Sequence, residues 1–459
     1  VVEEKEIDTE NYQFEKEPVV DDGAPQVVII EDFKKLNNKE EEVNDSLLAI
    51  MPKPRNYKLN FTNDDILAQP GNSFNNIFYQ NAGFGAQNLS PGFNPLFQLG
   101  VSDLFEDRRI IGSVRVDPGF QNFGYGVRYD NFIKRLDKSL IFQRQGFTTP
   151  IDGTNLLVKI HTNTMRYEVS YPFSEVLSIR GSLMGQYERV VLLAVNDQSL
   201  NLPNTHNIDG GGKAELVFDN TLYRGLNLRT GIRAKAWAEY YHEYDIDTET
   251  YPSFGVLGMD FRYYQPLHRD IIFAARLAGN TTFGDKKLVS FVGGVDNWLI
   301  PTPRVENLPV DFEGQNYAYQ AMVSPLRGFY RNARNGTHAA VANAEIRIPV
   351  FKYFLNGPIK SDFVRNFQIV PFGDAGTAWT GNDPYSEDNF FNIIVDENSA
   401  NGVSYQVTLR NQEDPILYGY GAGLRSRIAG YFVRADWAWG VSDGRRLPRE
   451  FYLSLNLDF

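Results

Sequence analysis

The stretch "LNLRTGIRAKAWAEY", residues 226–240, alternates with period two. Leu226, Leu228, Ile232, Ala234, Ala236 and Ala238 fall on one face of an extended strand, and Asn227, Arg229, Arg233, Lys235 and Glu239 on the other. A sandwich core has no place for that many charges on one strand face. A barrel with lipid outside and a wet lumen accepts them readily. Two further stretches repeat the pattern. In "YFVRADWAW" (431–439), Val433, Ala435, Trp437 and Trp439 oppose Arg434 and Asp436, and over 340–350 an apolar face opposes Asn343, Glu345 and Arg347. The chain ends the same way in "FYLSLNLDF" (451–459), with Phe451, Leu453, Leu455, Leu457 and Phe459 on one face.

Composition narrows the choice. The longest apolar runs, such as "VVLLAV" at 190–195, fall far short of the roughly 20 residues a spanning helix needs. Mean hydropathy is −0.36, as a barrel with half its strand residues polar allows. The chain has no cysteine, which removes disulfides, thiolate nucleophiles and cysteine metal sites. Of the net charge of −12, residues 1–50 carry −10, from 15 Asp and Glu against 5 Lys. Residues 1–54 are therefore expected to be an acidic periplasmic linker, and no basic stripe suggests nucleic acid as a partner.

Sixteen strands can be marked between residues 55 and 459, an even number as single-chain bacterial barrels require. Short connections such as 104–107 and 172–175 alternate with long ones at 69–91, 195–207, 283–336 and 380–413. Tight turns on one side and long loops on the other predict an all-β, 16-stranded antiparallel transmembrane barrel in the outer membrane, with its C-terminus periplasmic. No repeat of 40–50 residues supports a propeller instead.

Within the longest connection lies "SPLRGFYRNARNG" (324–336), preceded by "SFVGGVDNW" (290–298) and followed by "VPFGDAGTAW" (370–379). Here the sequence resembles the BamA/TamA superfamily of outer-membrane assembly and translocation barrels, the bacterial surface antigen barrels. The resemblance implies that 283–336 is a sixth extracellular loop folded into the lumen as a plug. Its Arg327, Gly328 and Phe329 would match the family's Arg-Gly-Phe motif, and Glu345 and Asp374 the acidic wall residues that the Arg meets. Gly293, Gly294, Gly373 and Gly376 are the accompanying motif glycines. Glu345 faces inward by alternation, whereas Phe372, Asp374 and Gly376 share a face on which a bulge or a small-residue gap is expected. The glycines at 419, 421 and 423 are expected either to leave room for the inserted loop or to form a flexible wall near the seam.

The resemblance further implies a lateral seam between the first and last strands, carried by Tyr57, Leu59, Phe61, Phe451, Leu453, Leu455, Leu457 and Phe459. Through it the barrel would assist insertion of other outer-membrane proteins. The alternatives are a translocation pore for secreted or surface proteins and an accessory barrel that scaffolds other subunits. Partners would be outer-membrane lipid, other outer-membrane or lipoprotein subunits, and nascent or secreted clients. The stretches 54–74 and 100–110 resemble a Bacteroidota-type group in which a TolB-like propeller precedes the barrel, a departure from members with POTRA domains. No enzyme, cofactor or metal site is expected. The five histidines (161, 206, 242, 268 and 338) lack ligand spacing, and no Ser-His-acid cluster is apparent.

Overall fold

The computed structural model describes residues 60–69, 79–81, 96–116, 123–150, 157–193, 203–245, 251–299, 316–355, 357–386, 389, 393–400, 403–410, 414–455 and 458. The acidic segment 1–54 and, of the expected seam residues, Tyr57, Leu59, Leu457 and Phe459 lie outside the described residues.

The strands in chain order are β1 (Phe61–Gln69), β2 (Gln80–Asn81), β3 (Leu96–Asp103), β4 (Arg108–Val116), β5 (Phe123–Asn131), β6 (Asp137–Pro150), β7 (Leu157–Pro172) and β8 (Leu177–Leu193). They continue as β9 (Thr205–Asp219), β10 (Leu222–Gly225), β11 (Leu228–Asp245), β12 (Ser253–His268), β13 (Ile271–Gly284), β14 (Lys287–Val292), β15 (Tyr317–Val323) and β16 (Arg334–Gly336). The last are β17 (His338–Arg347), β18 (Gln368–Trp379), β19 (Ile393–Ala400), β20 (Val403–Arg410), β21 (Leu417–Ile428), β22 (Tyr431–Ser442) and β23 (Arg445–Leu455). Two five-residue helices, α1 (Val350–Phe354) and α2 (Asp362–Asn366), interrupt the β17–β18 connection.

One antiparallel ladder runs through most of them. β1 pairs with β3, and each strand from β3 pairs with the next as far as β9. β9 then pairs with β11, β11 with β12, β12 with β13, β13 with β17, β17 with β18, β18 with β21, β21 with β22, and β22 with β23. The short β10 adds to the start of β11, so the main sheet holds seventeen strands where sixteen were expected.

The two faces of this sheet follow the alternation. Along β17, Ala339, Val341, Asn343, Glu345 and Arg347 are buried on the inner face. Along β22 the inner set is Phe432, Arg434, Asp436, Ala438 and Gly440. The outward set is apolar and uncovered: Met165, Leu183, Leu257 and Leu277 all stand exposed in mid-strand. Apolar surface of that extent, spread around many strands, is costly in water. No helix among the described residues is long and apolar enough to cross a membrane.

Turns also follow the sequence. Tight connections at 104–107, 132–136, 173–176, 269–270 and 429–430 leave from one end of the ladder, as does the longer 348–367, and the connections at 70–95, 194–204, 285–337 and 380–416 leave from the other, as does the two-residue turn at 443–444. At Ala429 and Gly430, both with positive φ, a two-residue turn matches the twist of the strands it joins.

The long connections carry strands of their own: β19 and β20 pair antiparallel within 380–416, and β14, β15 and β16 lie within 285–337. Outside the main sheet, β14 and β15 run parallel. The alternation expected from Leu226 onward is corrected at its start: Leu226 and Asn227 lie between β10 and β11, Asn227 at φ +61, and Leu228 is buried with Tyr264, Ile272 and Ala274. No bulge occurs at Asp374: the registers of β18 with β17 and β21 are continuous, and Phe372, Asp374 and Gly376 all point inward.

Candidate functional site

The described parts of the connection, 285–299 and 316–337, pack on the inner face. β14 is sandwiched between β15 and β16, and β2, from the connection after β1, adds an antiparallel edge to β15. Leu288, Val289, Phe291 and Val292 are fully buried, so both faces of β14 are covered. Two anchors tie this small sheet to the wall. Tyr319 donates to Asp209 at 2.6 Å, and Tyr79, beside β2, donates to Glu239 at 2.8 Å. Gly293 and Gly294 end β14 with positive φ. They let the backbone approach the Arg-Gly-Phe stretch: Leu326 N donates to Gly294 O at 3.0 Å and Gly294 N to Phe329 O at 3.1 Å.

Arg327 is wholly buried. Its Nε and Nη2 fork onto the two oxygens of Asp374, both at 2.7 Å, and Nη1 donates to Glu345 at 2.8 Å. Its backbone N–H also donates to Asp374, at 3.0 Å. The guanidinium lies 3.5 Å from the centroid of the Phe372 ring, a cation–π contact between buried groups. Burial alone would lower the Arg327 pKa. The Asp374 carboxylate, then Glu345 and Asp436, outweigh it and hold the guanidinium above its usual range.

The cluster is larger than the sequence suggested. Glu345 also accepts a fork from Arg425, at 2.9 and 2.6 Å, and a bond from Arg347 at 3.0 Å. Arg347 in turn donates to Asp458 at 2.8 Å, and Arg434 lies 3.4 Å from Asp436. Arg327, Arg347, Arg425 and Arg434 are thus balanced by Glu345, Asp374, Asp436 and Asp458. A balanced, hydrogen-bonded set is the condition under which buried charge is tolerable. Asp458, beyond the end of β23, is also gripped by Arg262 at 3.1 Å and by the Tyr264 hydroxyl. Burial would raise its pKa, but Arg347 and Arg262 overcome that and pull it well below the usual carboxylate range.

Gly328 has φ +94, and a side chain there would strike the backbone of β22 at Trp439 and Gly440. Phe329 is buried with Val292, Val323, Leu326 and Val341. Of the three glycines expected to make room, Gly419 does so for Arg327 O, whereas Gly421 lies against Trp437 and Gly423 against Asp436. Gly376 meets Val341 and Leu326, and Gly373 meets nothing. Phe61 and Phe451 are exposed, while Leu453 and Leu455 are partly buried.

Arg425 and Asp458 were not singled out from the sequence, and Arg434 and Asp436 only as a polar strand face; the signal was inward charge in "GLRSRI", "YFVRADWAW" and "FYLSLNLDF". Tyr452 was also missed: its hydroxyl accepts from Gly328 N and donates to Phe329 O, both at 2.8 Å. Among the described residues, no group of three or more His, Asp or Glu is placed to hold a metal ion.

No protein-family model matches the sequence, and no curated protein matches it. Solved structures do. BamA from Haemophilus ducreyi lacking POTRA domains 1–3 is 12% identical, with a TM-score of 0.48 over 80% of this chain and 68% of that one. CdiB from Escherichia coli is 10% identical, with a TM-score of 0.42 over 87% and 67%. The copper transporter OprC is 13% identical, with a TM-score of 0.37 over 87% and 66%. Likeness this distant assigns neither family nor activity.

Proposed function

We propose that this chain is a sixteen-stranded outer-membrane barrel whose connection 285–337 is a plug locked by Arg327, and that it assists the insertion of other outer-membrane proteins. On this reading β10 is an extension of the β11 edge, because it pairs with the first residues of β11 alone. The apolar outward face meets lipid, and the tight turns face the periplasm, as in barrels of this kind. β23 runs toward the tight-turn side, which supports a periplasmic end for this strand on the same reading.

The observation that carries the reading is the wholly buried fork of Arg327 on Asp374 and Glu345. A loop arginine with no task would stay in water, since burying a guanidinium costs several kcal/mol unless every partner is in place. The lateral seam would lie between β1 and β23. Among the described residues, β1 forms a ladder with β3 and β23 with β22, and the seam would run between their other edges. Partners would be lipid, other outer-membrane or lipoprotein subunits, and unfolded client strands.

A second reading is a translocation pore gated by the same plug. It is favoured by a polar cavity of ≈ 570 Å³ on the tight-turn side, lined by Glu175, Arg180, Asp219, Arg233 and Lys235. Quantitative proteomics of the outer membrane after depletion separates the two. A broad fall in barrel proteins supports the assembly role, and loss of a few secreted or surface proteins supports the pore. Unchanged levels of all of these would overturn both.

A further inference from the structure

β23 pairs with β22 along one edge. Part of its other edge is taken by the chain itself. Trp298 forms an antiparallel bridge with Ser454. Around it, Leu299 N donates to Leu453 O at 2.8 Å, Leu455 N to Asn297 O at 3.4 Å, and Asn297 Nδ2 to Leu455 O at 3.1 Å. Trp298 is buried, with its ring 4.8 Å from that of Tyr452 and the Arg331 guanidinium 5.4 Å from its centroid. The same Tyr452 holds the backbone of Gly328 and Phe329. The Gly294–Leu326 bridge joins these two parts of the connection. One inward side chain and one stretch of backbone edge of the last strand are therefore both fastened to the segment that carries Arg327.

We propose that Asn297–Leu299 is a built-in occupant of the β23 edge, released together with the Arg327 cluster, and that an extended strand of a client polypeptide replaces it. The inference rests on the seam reading above. An open strand edge exposes unpaired amide and carbonyl groups, a state that lipid forbids and that invites wrong partners in water. The occupant spans three residues, so it satisfies this edge only locally. A client strand of ordinary length offers a longer ladder on the same edge and can displace it by β-augmentation. Coupling through Tyr452 means that the edge opens when the plug moves, and not before.

Because the protein contains no cysteine, the contact can be trapped selectively. Trp298 and Ser454 are a non-hydrogen-bonded antiparallel pair, whose Cα separation of about 4.5 Å falls within disulfide range. Trp298→Cys with Ser454→Cys, purified without clients and mildly oxidised, should cross-link nearly completely. Adding Arg327→Ala should lower the yield at least fivefold. Asn297→Cys with Leu455→Cys, which keeps Trp298, should behave alike. No cross-link in either pair, or equal yields with and without Arg327, would overturn the proposal. In cells carrying a cross-linkable pair as the sole copy, oxidation should stop assembly and reductant restore it. A fully active cross-linked protein would sink the edge-occupant idea and leave the assembly reading intact. Outer-membrane protein levels unchanged by depletion would instead sink the assembly reading, leaving the client-free cross-link as the measure of coupling.

Discussion

Replacing Arg327 with alanine removes three charged hydrogen bonds, two to Asp374 and one to Glu345. The two carboxylates do not suffer equally. Glu345 keeps Arg425 and Arg347. Asp374 keeps only the Asn343 amide at 2.9 Å and the backbone N–H of residue 327 at 3.0 Å. Removing one partner of a buried ion pair costs about 3–5 kcal/mol. With two hydrogen bonds still on Asp374, we expect a loss near 3 kcal/mol, confined to the docking of 285–337. At 1.4 kcal/mol per factor of ten, that raises the undocked population about 100-fold. Amide hydrogen exchange of β14 and β15 reads this directly, since their ladder must open for exchange to occur. Adding Asp374→Asn to Arg327→Ala should recover at least about 1 kcal/mol by neutralising the stranded charge. Exchange in β14 accelerated less than threefold by Arg327→Ala would refute the argument that this cluster holds the connection in place.

Other perturbations follow the same geometry. Gly328→Ala, at φ +94 and against the β22 backbone, should undock the connection by at least about 2 kcal/mol, seen as faster proteolysis within it. Tyr452→Phe leaves the Gly328 N–H and Phe329 C=O without their hydroxyl partner, and should cost about 1–3 kcal/mol in the same exchange assay. The depressed pKa of Asp458 stabilises the folded state above the ordinary carboxylate range, and that contribution is lost only as pH falls through its lowered value. Stability should therefore show no loss attributable to this group from pH 7 to 5. Asp458→Asn should weaken the docking of the terminal residues across that range, measured by exchange at Tyr452 and Ser454.

The ladder was legible in the sequence because each strand faces two unlike environments, so period-two alternation survives in 232–240, 340–347 and 431–439; it breaks at Asn227, which turns at φ +61, and at Val350, which starts a helix. The inner strands were not. β14 is covered on both faces, so "KLVSFV" shows no alternation, and its parallel partner lies beyond a 24-residue connection at 293–316. Arg327, Glu345 and Asp374 could be picked out from a motif and an alternating face. Arg425 and Arg434 reach Glu345 and Asp436 only through the registers of β18, β21 and β22, which no local pattern encodes. At Asp374 a bulge or a small-residue gap was expected because Phe372, Asp374 and Gly376 share a face. Gly376 instead makes room for Leu326 and Val341 within an unbroken register. The Trp298–Ser454 bridge joins segments 156 residues apart in sequence, and nothing in either stretch announces the other.

The central claim is that 285–337 closes a membrane-spanning barrel and that Arg327 keeps it there. Conductance of the purified protein in planar bilayers tests both halves together. The account predicts a nearly silent native protein, with large, frequent openings after Arg327→Ala and a constantly open pore after removal of 285–337. A native protein that conducts as freely as either variant, or a deletion that stays silent, would contradict it.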